Sequence, residues 1–91
     1  LISVAWSPLV PLSTGLANGS VRGTNFVNGL TKVFVCTYPS NSCTQLANES
    51  VNVPNGTLIN LLNVKLARGA WQIYIETPSG ISNRSRTFNV L

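Results

Sequence analysis

Glu49, Glu76, Cys36 and Cys43 are the side chains best suited to acid, base or metal chemistry in this 91-residue chain, which has no histidine and no aspartate. A serine or cysteine nucleophile needs a base within hydrogen-bond reach, and the inventory supplies none in an obvious place. A pair of glutamates flanking a sugar bond would be the remaining catalytic option. Here Glu76 falls at the end of an outward strand face and Glu49 opens another strand, so both read as solvated surface acids. Two thiols alone do not complete a zinc site, and no carboxylate cluster suits calcium. The expectation is a non-enzyme that uses no cofactor and no metal.

The thiols stand in "CTYPSNSC", with Pro39 and Asn41 as turn formers between them. This spacing fits a disulfide that closes a hairpin or a tight excursion between strands. Such a bridge would contribute about 2–3 kcal/mol on the chain-entropy model and would imply an oxidising compartment. Two free thiols are the alternative.

The elements that must carry these groups are strands. Hydrophobic residues make up 44% of the chain and charged residues only 9%, against a soluble average of about 25% charged. Solubility therefore rests on Ser, Thr and Asn, a surface common on exported β-proteins. The formal charge of +4 comes from Arg22, Lys32, Lys65, Arg68, Arg84 and Arg86. They are scattered, whereas phosphate binding needs cations converging on one face, so no nucleic-acid partner is expected. No stretch is long and apolar enough for a membrane span, so this segment is not expected to insert in a membrane. The chain opens on "LISVAW" and contains no methionine, which reads as one domain over residues 1–91 taken from a larger multidomain protein.

Period-two alternation recurs along the chain. "ISVAW", "GSVRGTNF", "TKVFVCT", "ESVNVP" (stopping at Pro54), "LINLLNVKL", "AWQIYIETPSG" and "RTFNVL" each read as a strand. The alternation is clearest around Trp71, Ile73 and Ile75, which share one face, with Gln72, Tyr74 and Glu76 on the other. Phe88 and Val90 point inward on the last strand. About seven short strands with regular turns predict an all-β, two-sheet sandwich. The two cysteines are too close in sequence to link distant strands across it.

If Val33 and Val35 face inward, Phe34 faces outward with Tyr74 beside it. That pair, with Tyr38 nearby, is either a binding face for a protein or carbohydrate ligand or a cross-strand pair that stabilises the sheet. Trp6 and Trp71 read as core or domain-junction residues. Four Asn-X-Ser/Thr sequons begin at Asn18, Asn48, Asn55 and Asn83, candidates for glycosylation in a secretory setting. In a chain this rich in Asn, Ser and Thr, about two would arise by chance.

Two end motifs carry a family resemblance. "SPLVPLSTGLANGSVRGTNF" sets a Ser-Pro, a loop and a strand before Gly23, Thr24, Asn25 and Phe26. "GAWQIYIETPSGISN" then runs from Gly69 through Trp71 and Gly80, and Phe88 and Val90 close the pattern. Together they resemble IPT/TIG domains, the immunoglobulin-like fold shared by plexins and transcription factors, over nearly the whole chain. The resemblance implies an immunoglobulin-like sandwich in two antiparallel-rich sheets. The same residues have folding roles of their own. Gly23 allows a positive φ or a close approach, Asn25 shapes a turn, Phe26 plugs an end, and Gly80 allows the last hairpin. The opening loop departs from the pattern, since Leu9, Val10 and Leu12 stand where glycines are usual. They are expected under the sandwich end or against a neighbour.

The resemblance implies a structural or interaction module of a secreted or cell-surface protein. It would space neighbouring domains of the same chain or contribute an adhesive face. An accessory domain beside a glycosidase is the alternative, with Phe34 and Tyr74 as its platform. A DNA-binding or dimerising domain is the third reading. It is disfavoured because Arg68 should lie at one end of the sandwich and Arg84 and Arg86 toward the other.

Overall fold

A computed structural model describes residues 2–7 and 13–91. The expectations for Leu9, Val10 and Leu12 fall outside the described residues. The strands are β1 (Ser3–Ser7), β2 (Ala17–Arg22), β3 (Lys32–Thr37), β4 (Cys43–Gln45), β5 (Val51–Asn55), β6 (Leu58–Val64), β7 (Gly69–Thr77), β8 (Gly80–Ile81) and β9 (Phe88–Val90). One sheet has the order β1-β2-β6-β5. The other has β4-β3-β7-β8, with β9 also paired to β7. The strand pairs are antiparallel. The chain crosses between sheets after β2, β4 and β6, which gives the strand distribution of an immunoglobulin-like sandwich.

The inner faces meet as the alternation requires. Val21, Ile59 and Leu61 of one sheet and Val33, Ile73 and Ile75 of the other are 0% exposed. Burying each such side chain stabilises the fold by about 1.5–3 kcal/mol. At one edge of this core the Trp6 and Phe88 rings meet at 5.2 Å between centroids, and Phe88 stands opposite Trp71 in register.

Several boundaries differ from the expected ones, each for a local reason. β4 and β8 are three- and two-residue strands, too short to show a period. Asn48–Ser50 form a 3-10 turn, so β5 starts at Val51 and runs past Pro54. β5 is an edge strand, where a missing N–H can face solvent. β6 is interrupted just before its last residue, Val64, where Asn63 takes φ 54°. The register with β2 shifts there, and the Asn63 N–H donates to Asn18 Oδ1 at 2.9 Å. Two residues of β6 thus face one of β2, a bulge held by a side-chain amide.

The Gly23–Phe26 corner is explained by contact. A Cβ on Gly23 would lie 2.7 Å from Phe26 Cζ, so this glycine admits the folded-back ring and needs no positive φ. Asn25 supplies the left-handed residue of the corner at φ 65°. Phe26 is buried, and its N–H donates to Gly56 O at 3.1 Å. Gly80 takes φ 131° after the Pro78–Ser79 turn.

This corner defines one pole of the sandwich. Ile2 lines a cleft there with Phe26, Ile75 and Thr77. At the other pole Val90 pairs with Gly69, and the Ser13 N–H donates to Leu91 O at 2.6 Å. β1 therefore starts at one pole and β9 finishes at the other. Gly23→Ala is expected to lower stability by about 1–3 kcal/mol through overpacking against Phe26. Urea denaturation measures it, and Gly15→Ala, with open space around its Cα, is the control expected to change little.

Candidate functional site

The outward face of the β4-β3-β7 sheet brings together Phe34, Tyr74, Glu76 and the two cysteines. In the β3–β7 register Phe34 stands opposite Tyr74, Cys36 opposite Gln72 and Lys32 opposite Glu76. The Phe34 and Tyr74 rings stack at 4.8 Å between centroids with 5° between planes. Both rings are half-buried. Each therefore uses one face on the other, the arrangement of a cross-strand pair. Tyr38 is exposed but does not join them. It sits in the turn between β3 and β4, where its N–H donates to Ala70 O at 3.0 Å.

Cys36 and Cys43 are joined by a disulfide. They stand directly opposite each other on β3 and β4, so the bridge ties a three-residue edge strand to the sheet. The turn it closes is internally bonded. The Thr37 N–H donates to Ser42 O at 3.0 Å, and the Asn41 N–H donates to Thr37 O at 2.8 Å. Asn41 takes φ 64°, the left-handed conformation its side chain tolerates. The two sulfurs differ in setting: Cys36 is 0% exposed, and Cys43 is exposed.

Arg84 completes the face. Its guanidinium carbon lies 5.6 Å from the Tyr74 ring centroid, and Nη2 approaches Cys43 Sγ at 3.6 Å. The sequence placed this arginine toward the end of the sandwich; it lies beside the middle of β7. The cause is the segment between β8 and β9, which follows β7 without forming a regular strand. The Ser82 N–H donates to Ile75 O, and the Ser85 N–H donates to Ile73 O, both at 2.8 Å. In return Ser82 Oγ accepts from the Ile75 N–H and Ser85 Oγ accepts from the Ile73 N–H, both at 2.9 Å. Two hydroxyls thus take the place of backbone carbonyls along this edge. Gln72 Nε2 adds a bond to Thr87 Oγ1 at 3.3 Å. Serines at this spacing carry no hydrophobic period, so alternation could not reveal the latch or place Arg84.

The two carboxylates stay apart. Glu76 is on β7, and Glu49 is in the 3-10 turn before β5 of the opposite sheet. Of the tryptophans, Trp6 is buried and Trp71 half-buried, with Trp71 Nε1 donating to Ala67 O at 2.9 Å. The four sequon asparagines Asn18, Asn48, Asn55 and Asn83 are exposed. Asn55 Oδ1 accepts from the Thr57 N–H at 2.9 Å and from Thr57 Oγ1 at 2.8 Å, which forms the hairpin tip. The hydroxyl of the Asn83 sequon belongs to buried Ser85 and is already bonded in the latch. Among the described residues no helix is long and apolar enough to cross a membrane.

No protein-family model matches this chain, and no curated protein matches it.

The stack predicts a measurable coupling. Phe34→Ala, Tyr74→Ala and the double variant, compared by urea denaturation, are expected to give a favourable interaction of about 0.5–1.5 kcal/mol. Additivity within error would mean that the rings contribute independently.

Proposed function

We propose that this chain is a non-catalytic structural or interaction module of an exported multidomain protein, related in kind to IPT/TIG domains, that spaces and orients its neighbours. The observation that carries this reading is the apolar surface at the two poles. Leu30 and Ile81 are 61% and 69% exposed beside the Phe26 corner, and Leu16 is 61% exposed at the opposite pole. Exposed aliphatic groups at both poles of the sandwich suit contact with flanking domains.

The remaining features support the same reading. The disulfide fits an oxidising, extracellular setting. The Gly23–Phe26 corner gives the motif that resembles IPT/TIG domains a packing role. Glu76 on β7 and Glu49 in the 3-10 turn before β5 of the other sheet offer no paired-carboxylate chemistry. Arg68 precedes β7 at one pole while Arg84 lies against Tyr74, an arrangement that does not favour a nucleic-acid face. The half-buried, mutually stacked Phe34 and Tyr74 favour sheet packing over a sugar platform.

Small-angle scattering on the module with its flanking domains tests this. A Leu30→Ser/Ile81→Ser variant is expected to broaden the distribution of interdomain distances while the module's circular dichroism stays native. An unchanged distribution would remove the proposed contact. Retention of the isolated module on insoluble polysaccharide, lost in Tyr74→Ala, would instead support an accessory role beside a glycosidase.

A further inference from the structure

We infer that the Cys36–Cys43 bridge is a one-sided thiol-exchange site, open to a small thiol at Cys43 alone and assisted there by Arg84. Exchange requires a thiolate to reach one sulfur along the S–S axis while the other sulfur leaves. Cys36 is 0% exposed, so its sulfur is closed to attack. Cys43 lies exposed on the three-residue edge strand β4. Arg84 Nη2 stands 3.6 Å from Cys43 Sγ, and Arg84 is itself exposed and placed against the Tyr74 ring. A guanidinium at that point attracts an incoming anionic thiol and stabilises negative charge on Cys43 sulfur.

The steps follow from this asymmetry. A small thiolate attacks Cys43 Sγ, a new S–S bond forms, and the bond to Cys36 breaks. The electron pair leaves on Cys36 sulfur, which takes a proton from water. A second thiolate then attacks the small-molecule sulfur of the mixed disulfide. That releases the oxidised small disulfide and leaves Cys43 as a thiolate beside Arg84. Two small thiols are oxidised and the bridge is reduced. The first step leaves charge on a buried sulfur with no cation beside it among the described contacts, so it is the slow one. The second is the step Arg84 favours. Opening the bridge removes the covalent tie on β4, which is then held by its short ladder with β3 and the hydrogen bonds of the 37–42 turn.

Two single-thiol variants separate the sulfurs. Cys36→Val keeps a buried apolar side chain and leaves Cys43, while Cys43→Ser leaves Cys36. Each is treated with oxidised glutathione at neutral pH, and the adduct is followed by intact mass with circular dichroism on the same sample. Cys36→Val is expected to form the adduct about tenfold or more faster, and Cys43→Ser to form it only after urea is added. Arg84→Gln in the Cys36→Val background is expected to slow the reaction about two- to fivefold. Limited iodoacetamide labelling of the reduced native sequence, mapped by peptide mass, provides the check without substitution, and Cys43 is expected to label first. Equal rates, or preference for Cys36, with a native spectrum overturns the one-sided site. An unchanged rate in Arg84→Gln overturns the role of the arginine.

Discussion

The antiparallel pairing of β3 with β7 is the constraint on which the rest of the structure depends. Its register is continuous from Lys32 opposite Glu76 to Thr37 opposite Trp71. A strand places successive side chains on opposite faces, so one register decides both surfaces together. Inward it stacks Val33 and Val35 against Ile73 and Ile75 for the core. Outward it brings Phe34 to Tyr74 and Cys36 to Gln72. A slip of β7 by one residue would turn that strand over, exposing Ile73 and Ile75 and burying Gln72 and Tyr74. The core and the outer face are therefore two readings of one set of hydrogen bonds.

From that pair the secondary features follow in order. β4 adds to β3 because the turn at 37–42 closes on itself and the disulfide joins opposed residues. On the far side β7 is flanked by β8 and β9 at its two ends, with Ser82 and Ser85 bonding the stretch between. That latch carries Arg84 over Tyr74 and toward the exposed sulfur. A chain with few charges has set one of its cations where an aromatic pair and a disulfide meet. The functional proposal draws on the poles and the exchange proposal on this face, so neither depends on the other.

Much of this was legible in the sequence, and the limits have physical causes. The "AWQIYIE" alternation gave the inward isoleucines and outward tyrosine of β7, because a half-buried strand must alternate. The close spacing of Cys36 and Cys43 left the choice between bridge and thiols open, and their opposed positions on paired strands decided it. The Phe34–Tyr74 pair followed from strand parity, but its stacking depended on a register that no single strand encodes. β4 and β8 were too short to carry a period. The serine latch was invisible because it replaces backbone acceptors with hydroxyls, which leaves no hydrophobic trace. Asn63 interrupts β6 with a bulge whose partner, Asn18, is distant in sequence.

Native-state hydrogen exchange resolved by residue tests the central claim most directly. If the β3–β7 pair and its serine latch organise the molecule, the Ile73 and Ile75 amides, bonded to Ser85 and Ser82 hydroxyls, exchange only through global unfolding, as slowly as the protected amides of β3. Exchange of those two amides at the rate of the exposed turns, with β3 still protected, would contradict the account.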